Sequence, residues 1–510
     1  MSRKEYLLGL DIGTMGSKGL IMDREGNVIA SHYIEHDINI IKPGWVEQDP
    51  DGCYWRDFKE IVKVLINKSG IDPGNIVGIG ISSLSPDLLP IDQNGKPVRP
   101  CIIYMDRRAQ EECQIAKEIL GEEKIYKLTG NAIDPYFAGY KVLWYKRNEP
   151  ENYDKTWKIL NADKYVIFKL TEIAVVDHTN AVLFAPLFDF MGKTWSKEAC
   201  NALEIDVDKL PKPVEPSAIV GEVTEQAAKE TGLAAGTPIV AGSPDAMQSF
   251  LSVGAINPGD SVFMYGTTGC WGVITDKPFM DPRLVNSYYV VPGTYISVGG
   301  MIATGALVRW FRDQFGAVEK KVEELTGINA YKLLDKEAER ISPGSDGLVV
   351  LPYFMGERTP IWDPNARGII FGLTLFHTKA HIYRALLEAS GYGLRHHMDI
   401  AAASGIKFTR LIAVNGGAKS RLWRQIITDI TNMKQEYISR SEGAPFGDAF
   451  LAGIAVKLFK DFKEITQLIK IDDVTEPNPD NYKLYSKLYE IYLKLYDKTK
   501  EEAWALSKLF

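Results

Sequence analysis

Short apolar runs that stop at glycine-containing turns set the pattern of this chain. Tyr6-Leu7-Leu8-Gly9-Leu10 runs into Asp11-Ile12-Gly13-Thr14-Met15-Gly16-Ser17-Lys18 and continues as Gly19-Leu20-Ile21-Met22-Asp23, which predicts a β-hairpin. The design returns where Asp260-Ser261-Val262-Phe263-Met264-Tyr265 meets Gly266-Thr267-Thr268-Gly269 and then Cys270-Trp271-Gly272-Val273-Ile274. Two matching units so far apart predict a duplicated architecture. Between them, Ile76-Val77-Gly78-Ile79-Gly80-Ile81 and Pro238-Ile239-Val240-Ala241 read as strands alternating with helices, an α/β pattern. Residues 381–398 keep a helical stripe of Ile382, Ala385, Leu386, Ala389 and Leu394. A lobe boundary near residue 253 follows, giving lobes over 1–252 and 253–480 and a final helix over 481–510. Residues 472–480 read as an ordered loop or linker. The final helix carries Leu484, Leu488, Ile491 and Leu495 on one face, and Tyr485, Tyr489, Tyr492 and Tyr496 form a second stripe, expected to pack on the lobe, with a partner-binding surface the alternative.

Composition narrows the class. A chain of 510 residues exceeds one ordinary core, and 45% apolar with 25% charged residues is the mixture of a folded globular protein. The formal net charge of -7 comes from interspersed acids and bases, which argues against a nucleic-acid partner. No run approaches the roughly 18 apolar residues of a membrane span, and the start of the chain lacks a signal-peptide core, so a cytoplasmic enzyme is expected. The five cysteines are scattered without a close Cys-x-x-Cys pair, which predicts reduced, structural thiols.

The two glycine- and threonine-rich turns carry the chemistry. Such loops leave backbone N–H groups free to surround phosphate oxygens, because no bulky side chain blocks the approach. Neither follows the Gly-x-x-x-x-Gly-Lys-Ser/Thr order, and no Gly-x-Gly-x-x-Gly follows a strand. Asp245, after Gly242-Ser243-Pro244, ends a strand and is either a helix cap or a reactive carboxylate. His377 and His381 are four apart without a third ligand, and read as a helix start.

Paired hairpin phosphate loops with an acid at the head of the first resemble the actin, heat-shock chaperone and sugar kinase superfamily. Within it, the chain is similar to the FGGY family of carbohydrate kinases over nearly its whole length. Gly368-Ile369-Ile370-Phe371-Gly372-Leu373, then His381-Ile382-Tyr383-Arg384-Ala385-Leu386-Leu387-Glu388 after seven residues, fits the family's second signature. The first fits at Tyr136, Lys141-Val142-Leu143-Trp144 and Asn148 and departs at Ala138 and Tyr145. The resemblance implies a two-lobed, actin-like (ribonuclease H-like) duplicated α/β fold with a cleft between the lobes. It implies Asp245 as catalytic base, Asp11 orienting Mg²⁺, and Gly13, Thr14, Ser17 and Lys18 on the phosphates. Gly266 and Thr267 would form the second phosphate loop, with Gly305, Arg309, Gly416, Gly417 and Arg421 at the nucleoside.

For the acceptor, the resemblance suggests Asp106, Tyr136, Ser85 and Asp87. The Arg-Glu pair of glycerol kinases and the Met-His-Gly triplet of xylulokinases are both replaced at Ser85-Pro86-Asp87, where Asp87 could accept from two vicinal hydroxyls or be a solvated turn residue. Gly356-Glu357-Arg358-Thr359-Pro360 is more similar to xylulokinases. The expected activity is ATP- and Mg²⁺-dependent phosphorylation of a primary hydroxyl of a small sugar, foremost a ketopentose such as xylulose. Alternatives are a glycerol, tetritol or other ketose kinase and, from another class, an actin-like ATPase, filament former or chaperone. A homodimer is left open.

Overall fold

The computed structural model describes residues 4–439 and 442–509. The first hairpin forms as expected: β1 (Tyr6–Ile12) runs antiparallel to β2 (Gly16–Asp23), and β2 to β3 (Val28–Glu35). On its other edge β1 pairs in parallel with β4 (Ile76–Ser83), and β5 (Ile219–Glu222) and β6 (Pro238–Val240) complete the order β5-β6-β4-β1-β2-β3. Residues on both faces of β1 are buried, which explains its near-continuous apolar run.

The second sheet repeats this plan. β7 (Asp260–Tyr265) pairs antiparallel with β8 (Gly269–Thr275) and in parallel with β11 (Arg410–Val414). With β9 (Val285–Tyr288), β10 (Tyr295–Met301), β12 (Gln435–Tyr437) and β13 (Asp473–Thr475), the order is β9-β10-β8-β7-β11-β12-β13. The segment 472–480 is therefore more than the expected loop: Asp473–Thr475 is an edge strand of this sheet.

Helix α1 (Arg56–Ser69) covers the first sheet with Phe58, Ile61, Val62 and Leu65 and stops at Gly70, whose φ of 64° is left-handed. Four more helices position the cleft: α2 (Ala162–Thr171), α3 (Asp245–Leu251), α4 (Gly305–Phe315) and α5 (Lys379–Ala403). They are followed by α6 (Arg421–Thr431), α7 (Ala444–Ala455) and α8 (Pro479–Ser507). Although it follows the second sheet's central strands in sequence, α7 lies on the first sheet. A Cβ on Gly9 of β1 would sit 1.8 Å from the Pro445 carbonyl oxygen, and one on Gly80 of β4 would sit 2.1 Å from that of Asp448. Only glycine permits so close a contact, and residues of both halves share the resulting core around α3 and α7.

Helix α8 docks through its tyrosines. Tyr485, Tyr489 and Tyr492 are buried, and the Tyr485 hydroxyl donates to Glu388 on α5 at 2.8 Å, whereas Leu484 and Ile491 stay 42% exposed. The Arg384 and Glu388 positions of the second family signature thus serve this junction, with Arg384 Nε 3.0 Å from Glu388. His381 completes a capping box with Thr378 at the start of α5, His377 accepts from the Thr374 N–H in the loop before it, and all five cysteines are free.

Candidate active site between the two sheets

Two cavities meet at the carboxyl ends of the central strands. One, of about 600 Å³, is lined by Gly266, Thr267, Gly305, Arg309, Gly416 and Gly417, together with Asn329, Tyr331 and Trp423. The other, of about 410 Å³, contains Asp11, Lys18, Ser85, Tyr136 and Asp245. Both volumes suit small ligands. Consecutive residues of two turns separate them: Thr268 faces the smaller cavity while Gly266 and Thr267 face the larger, and Asn415 and Gly416-Gly417 divide in the same way. The second hairpin turn is held by α4, whose first N–H groups, on Gly305 and Ala306, donate to the carbonyls of Gly266 and Thr267, both at 2.9 Å. Arg421 does not join the lining; it sits exposed on the first turn of α6 beside Ser420, which caps that helix.

The first hairpin turn is held from behind by side chains. The Gly13 carbonyl faces His36 Nε2 at 3.0 Å, the Thr14 carbonyl accepts from Gln48 Nε2 at 2.8 Å, and the Met15 carbonyl accepts from the Tyr33 hydroxyl at 3.0 Å. Lys18 reaches the cavity rim and pairs there with Glu442 at 2.9 Å. Ser17 departs from expectation. Strand alternation turns it away from Lys18's side, and its fully buried hydroxyl donates to Asp57 on α1 at 3.0 Å, so it does not face a phosphate.

Acids crowd the floor between the sheets. Burial lifts the Asp11 carboxyl well above its ordinary range; the Asp245 charge adds to this, while Ser82 and Lys18 oppose it. Asp245, the first residue of α3, is raised to about 6, chiefly by burial, with the charge of Asp163 adding and the Ala246 N–H opposing. Below them a single buried cation, Lys164, donates to Asp163 at 2.6 Å and to Asp177, and to the Ala241 carbonyl at 2.5 Å. Two desolvated carboxyls on one cavity repel each other, an arrangement that a hard divalent cation would relieve. Among the described residues no group of three or more His, Cys, Asp or Glu side chains forms a metal cage. A magnesium ion here would therefore be held by Asp11 with water and phosphate oxygens, and it would supply charge neutralisation on the transferring phosphate.

Two predicted acceptor residues are otherwise engaged. Asp87 is fully buried and caps α2, accepting from the Ala162 N–H at 2.7 Å and from Asn161 at 2.8 Å. Asp106 is also fully buried, its carboxylate taken up by Arg108 at 2.7 Å and by the Val46 N–H at 2.6 Å. Ser85 and Tyr136 do line the smaller cavity, with the Ser85 hydroxyl 2.6 Å from Asn180. Sequence reasoning missed Tyr104, Trp362 and Arg358 as lining residues. In sequence the segment containing Arg358 shows only a likeness, because nothing in it says that residue 358 folds back over Gly300 and Tyr136. A Cβ on Gly300 would lie 2.8 Å from the Arg358 guanidinium, whose carbon is 6.0 Å from the Tyr136 ring centre. A side cavity of about 280 Å³ opens beyond, sharing Tyr104, Tyr136, Thr268, Arg358 and Trp362.

Two repeated sheets, a glycine-lined nucleotide-sized cavity and an acid beside a small polar cavity define an actin-like phosphotransferase. Comparison with known proteins makes the family plain: the model of the FGGY family of carbohydrate kinases matches at residues 6–252 for its N-terminal domain and 262–456 for its C-terminal domain. The chain belongs to the FGGY family of carbohydrate kinases. It is 32% identical to the xylulose kinase of Lactococcus lactis over 97% of each chain, and 30% identical to the gluconokinase of Bacillus subtilis over 96% of this chain and 95% of that one. The crystal structure of xylulose kinase from Rhodospirillum rubrum superposes with a TM-score of 0.89 at 29% identity, covering 98% of this chain and 100% of that one. The gluconate kinase structure from Lactobacillus acidophilus also gives 0.89 at 29% identity, covering 97% and 98%. The protein is thus a sugar kinase, for which ATP-dependent phosphorylation follows from the family, and the filament and chaperone readings fall away. No helix among the described residues is long and apolar enough to cross a membrane.

Proposed function

We propose that this protein transfers the γ-phosphoryl group of magnesium-bound ATP to a primary hydroxyl of a small sugar in the cytoplasm, with a ketopentose such as xylulose the favoured acceptor. One observation carries the reading: the turn 266–268 is the wall common to a nucleotide-sized cavity and to the smaller cavity that contains Asp245. A nucleotide in the first can pass its terminal phosphate over that wall, with Lys18 and Asp11 facing it from the other sheet. Asp245 accepts the proton as the acceptor oxygen attacks in line. The cleft excludes bulk water from the transfer, which limits hydrolysis.

A second reading, in which the acceptor is an aldonate such as gluconate, is favoured by Arg358. Its guanidinium lines the acceptor cavity and forms no ion pair among the described residues, so it is available to a carboxylate, which a guanidinium binds in bidentate fashion. The resemblance of residues 356–360 to xylulokinases supports the first reading, and the names of the relatives are compatible with both. Steady-state ADP release with xylulose, ribulose, gluconate and glycerol separates them. With xylulose as acceptor, Arg358→Ala should leave KM within about twofold; with gluconate, loss of the charge-assisted pair should raise KM by about tenfold or more. Glycerol standing above every sugar acid and ketose would overturn both.

A further inference from the structure

The first phosphate turn makes one main-chain bond of its own, from the Gly13 N–H to the Gly16 carbonyl at 3.0 Å. Residues 13–15 lie beyond the paired register of β1 and β2, and the N–H groups of Thr14 and Met15 have no hydrogen-bond partner among the described residues. Their carbonyl neighbours are all partnered, and the partnering side chains come from two stretches behind the turn. His36 follows β3 and is 6% exposed; Gln48, at 1% exposure, ends the short strand Trp45–Gln48; Tyr33 belongs to β3 itself. Each partner is fixed in turn. Gln48 Oε1 accepts from the buried Tyr54 hydroxyl at 2.9 Å. His36 Nδ1 lies 2.7 Å from Asp57 Oδ2, which also accepts from Ser17, while Asp57 Oδ1 accepts from Arg56 at 2.7 Å.

The Asp57 carboxylate, receiving bonds from Ser17 and Arg56, is an acceptor, and so is the Gly13 carbonyl. The His36 ring therefore faces an acceptor at each nitrogen. Because a trans peptide unit points its N–H opposite to its C=O, drawing the Gly13 and Thr14 carbonyls into the lobe turns the Thr14 and Met15 N–H groups the other way, and the Thr14 hydroxyl lies 3.4 Å from that of Tyr104, which lines the smaller cavity.

We infer that His36, backed by Asp57, is a positioning residue for nucleotide binding: it draws back the Gly13 carbonyl so that the Thr14 and Met15 amides face the phosphates, and Gln48 does the same at Thr14. An unrestrained turn could present a carbonyl oxygen to a phosphate, replacing a donor by a repelling acceptor. The inference rests on the kinase reading, since it assumes that this turn meets phosphate.

The test is ADP binding by titration calorimetry, beside separate KM values for ATP and for the sugar, with wild type, His36→Phe, His36→Gln and Tyr33→Phe. Phenylalanine keeps the ring's bulk without a donor and should weaken ADP binding and raise the KM for ATP by about tenfold, with the sugar KM within about twofold. Glutamine, which retains one N–H for the Gly13 carbonyl, should recover part of the loss. Tyr33, 53% exposed, bonds the Met15 carbonyl, which also accepts from the His36 main-chain N–H at 3.2 Å and belongs to the next peptide unit, so Tyr33→Phe is the folded control and should leave ADP binding within about twofold. Wild-type ADP affinity in His36→Phe, a loss in Tyr33→Phe as large as that in His36→Phe, or equal shifts of both KM values in His36→Phe, would overturn the inference. Failure of the wild-type protein itself to bind ADP would instead overturn the kinase reading.

Discussion

The two hairpin turns at the cleft share a backbone plan and differ in what holds them. The turn after β1 has its carbonyls gripped chiefly by the side chains of His36, Gln48 and Tyr33, with one main-chain bond from the His36 N–H to the Met15 carbonyl. The turn after β7 has its carbonyls gripped by the main-chain N–H groups that open α4. The second device costs the sequence almost nothing, because any residue supplies an N–H, and it needs only that α4 start close by. The first requires particular residue types at distant positions, so substitutions far from the cleft should reach it.

The largest expected difference is a backbone one. A Cβ on Gly305 would sit 2.4 Å from the Gly266 carbonyl oxygen, so Gly305→Ala must shift the second turn. Overpacking of this kind costs about 1–3 kcal/mol, which predicts ADP binding roughly 10- to 100-fold weaker by calorimetry. Acidification should come next and should be blind to the comparison. Asp245, raised to about 6, must be ionised to accept a proton, so kcat/KM for the sugar should be flat above that pH and fall about tenfold per unit below it, alike in variants of either turn. In the first turn, Gln48→Ala strands the buried Tyr54 hydroxyl and the Thr14 carbonyl. Unmade buried hydrogen bonds cost about 1–3 kcal/mol, seen as a lower melting temperature and a raised KM for ATP. The smallest effect should be Thr267→Ala, within about threefold for ATP, since the turn keeps its main-chain bonds to α4. A Thr267→Ala loss exceeding that of Gln48→Ala would erase the distinction between the turns.

Legibility in the sequence followed range. Both hairpins, the strands beginning at Ile76 and Pro238 and the long helix over 379–403 could be read because each is declared by local apolar periodicity. The glycine-rich turns and Asp245 could be read because phosphate loops and a strand-end acid are local too. Asp87, Asp106 and Ser17 could not, since a carboxylate or hydroxyl near a site looks the same in sequence whether it faces the cavity or an amide behind it. Their partners, Ala162, Arg108 and Val46, and Asp57, decide the matter, and of these only Arg108 is close in sequence. The tyrosine stripe of α8 was legible as a packing surface, while the apolar partners expected beside it, Leu484 and Ile491, remain half-exposed. Within the second family signature, Arg384 and Glu388 stabilise the α5–α8 junction and line neither cavity, while Tyr383 lines the larger one.

The most direct test of the account is ADP release from magnesium-bound ATP over the panel of ketopentoses, gluconate and glycerol, run beside Asp245→Asn. The account predicts one acceptor standing far above the rest, with turnover falling by about 10²- to 10⁴-fold in the variant while ADP still binds. Acceptor-dependent turnover undiminished in Asp245→Asn would contradict it.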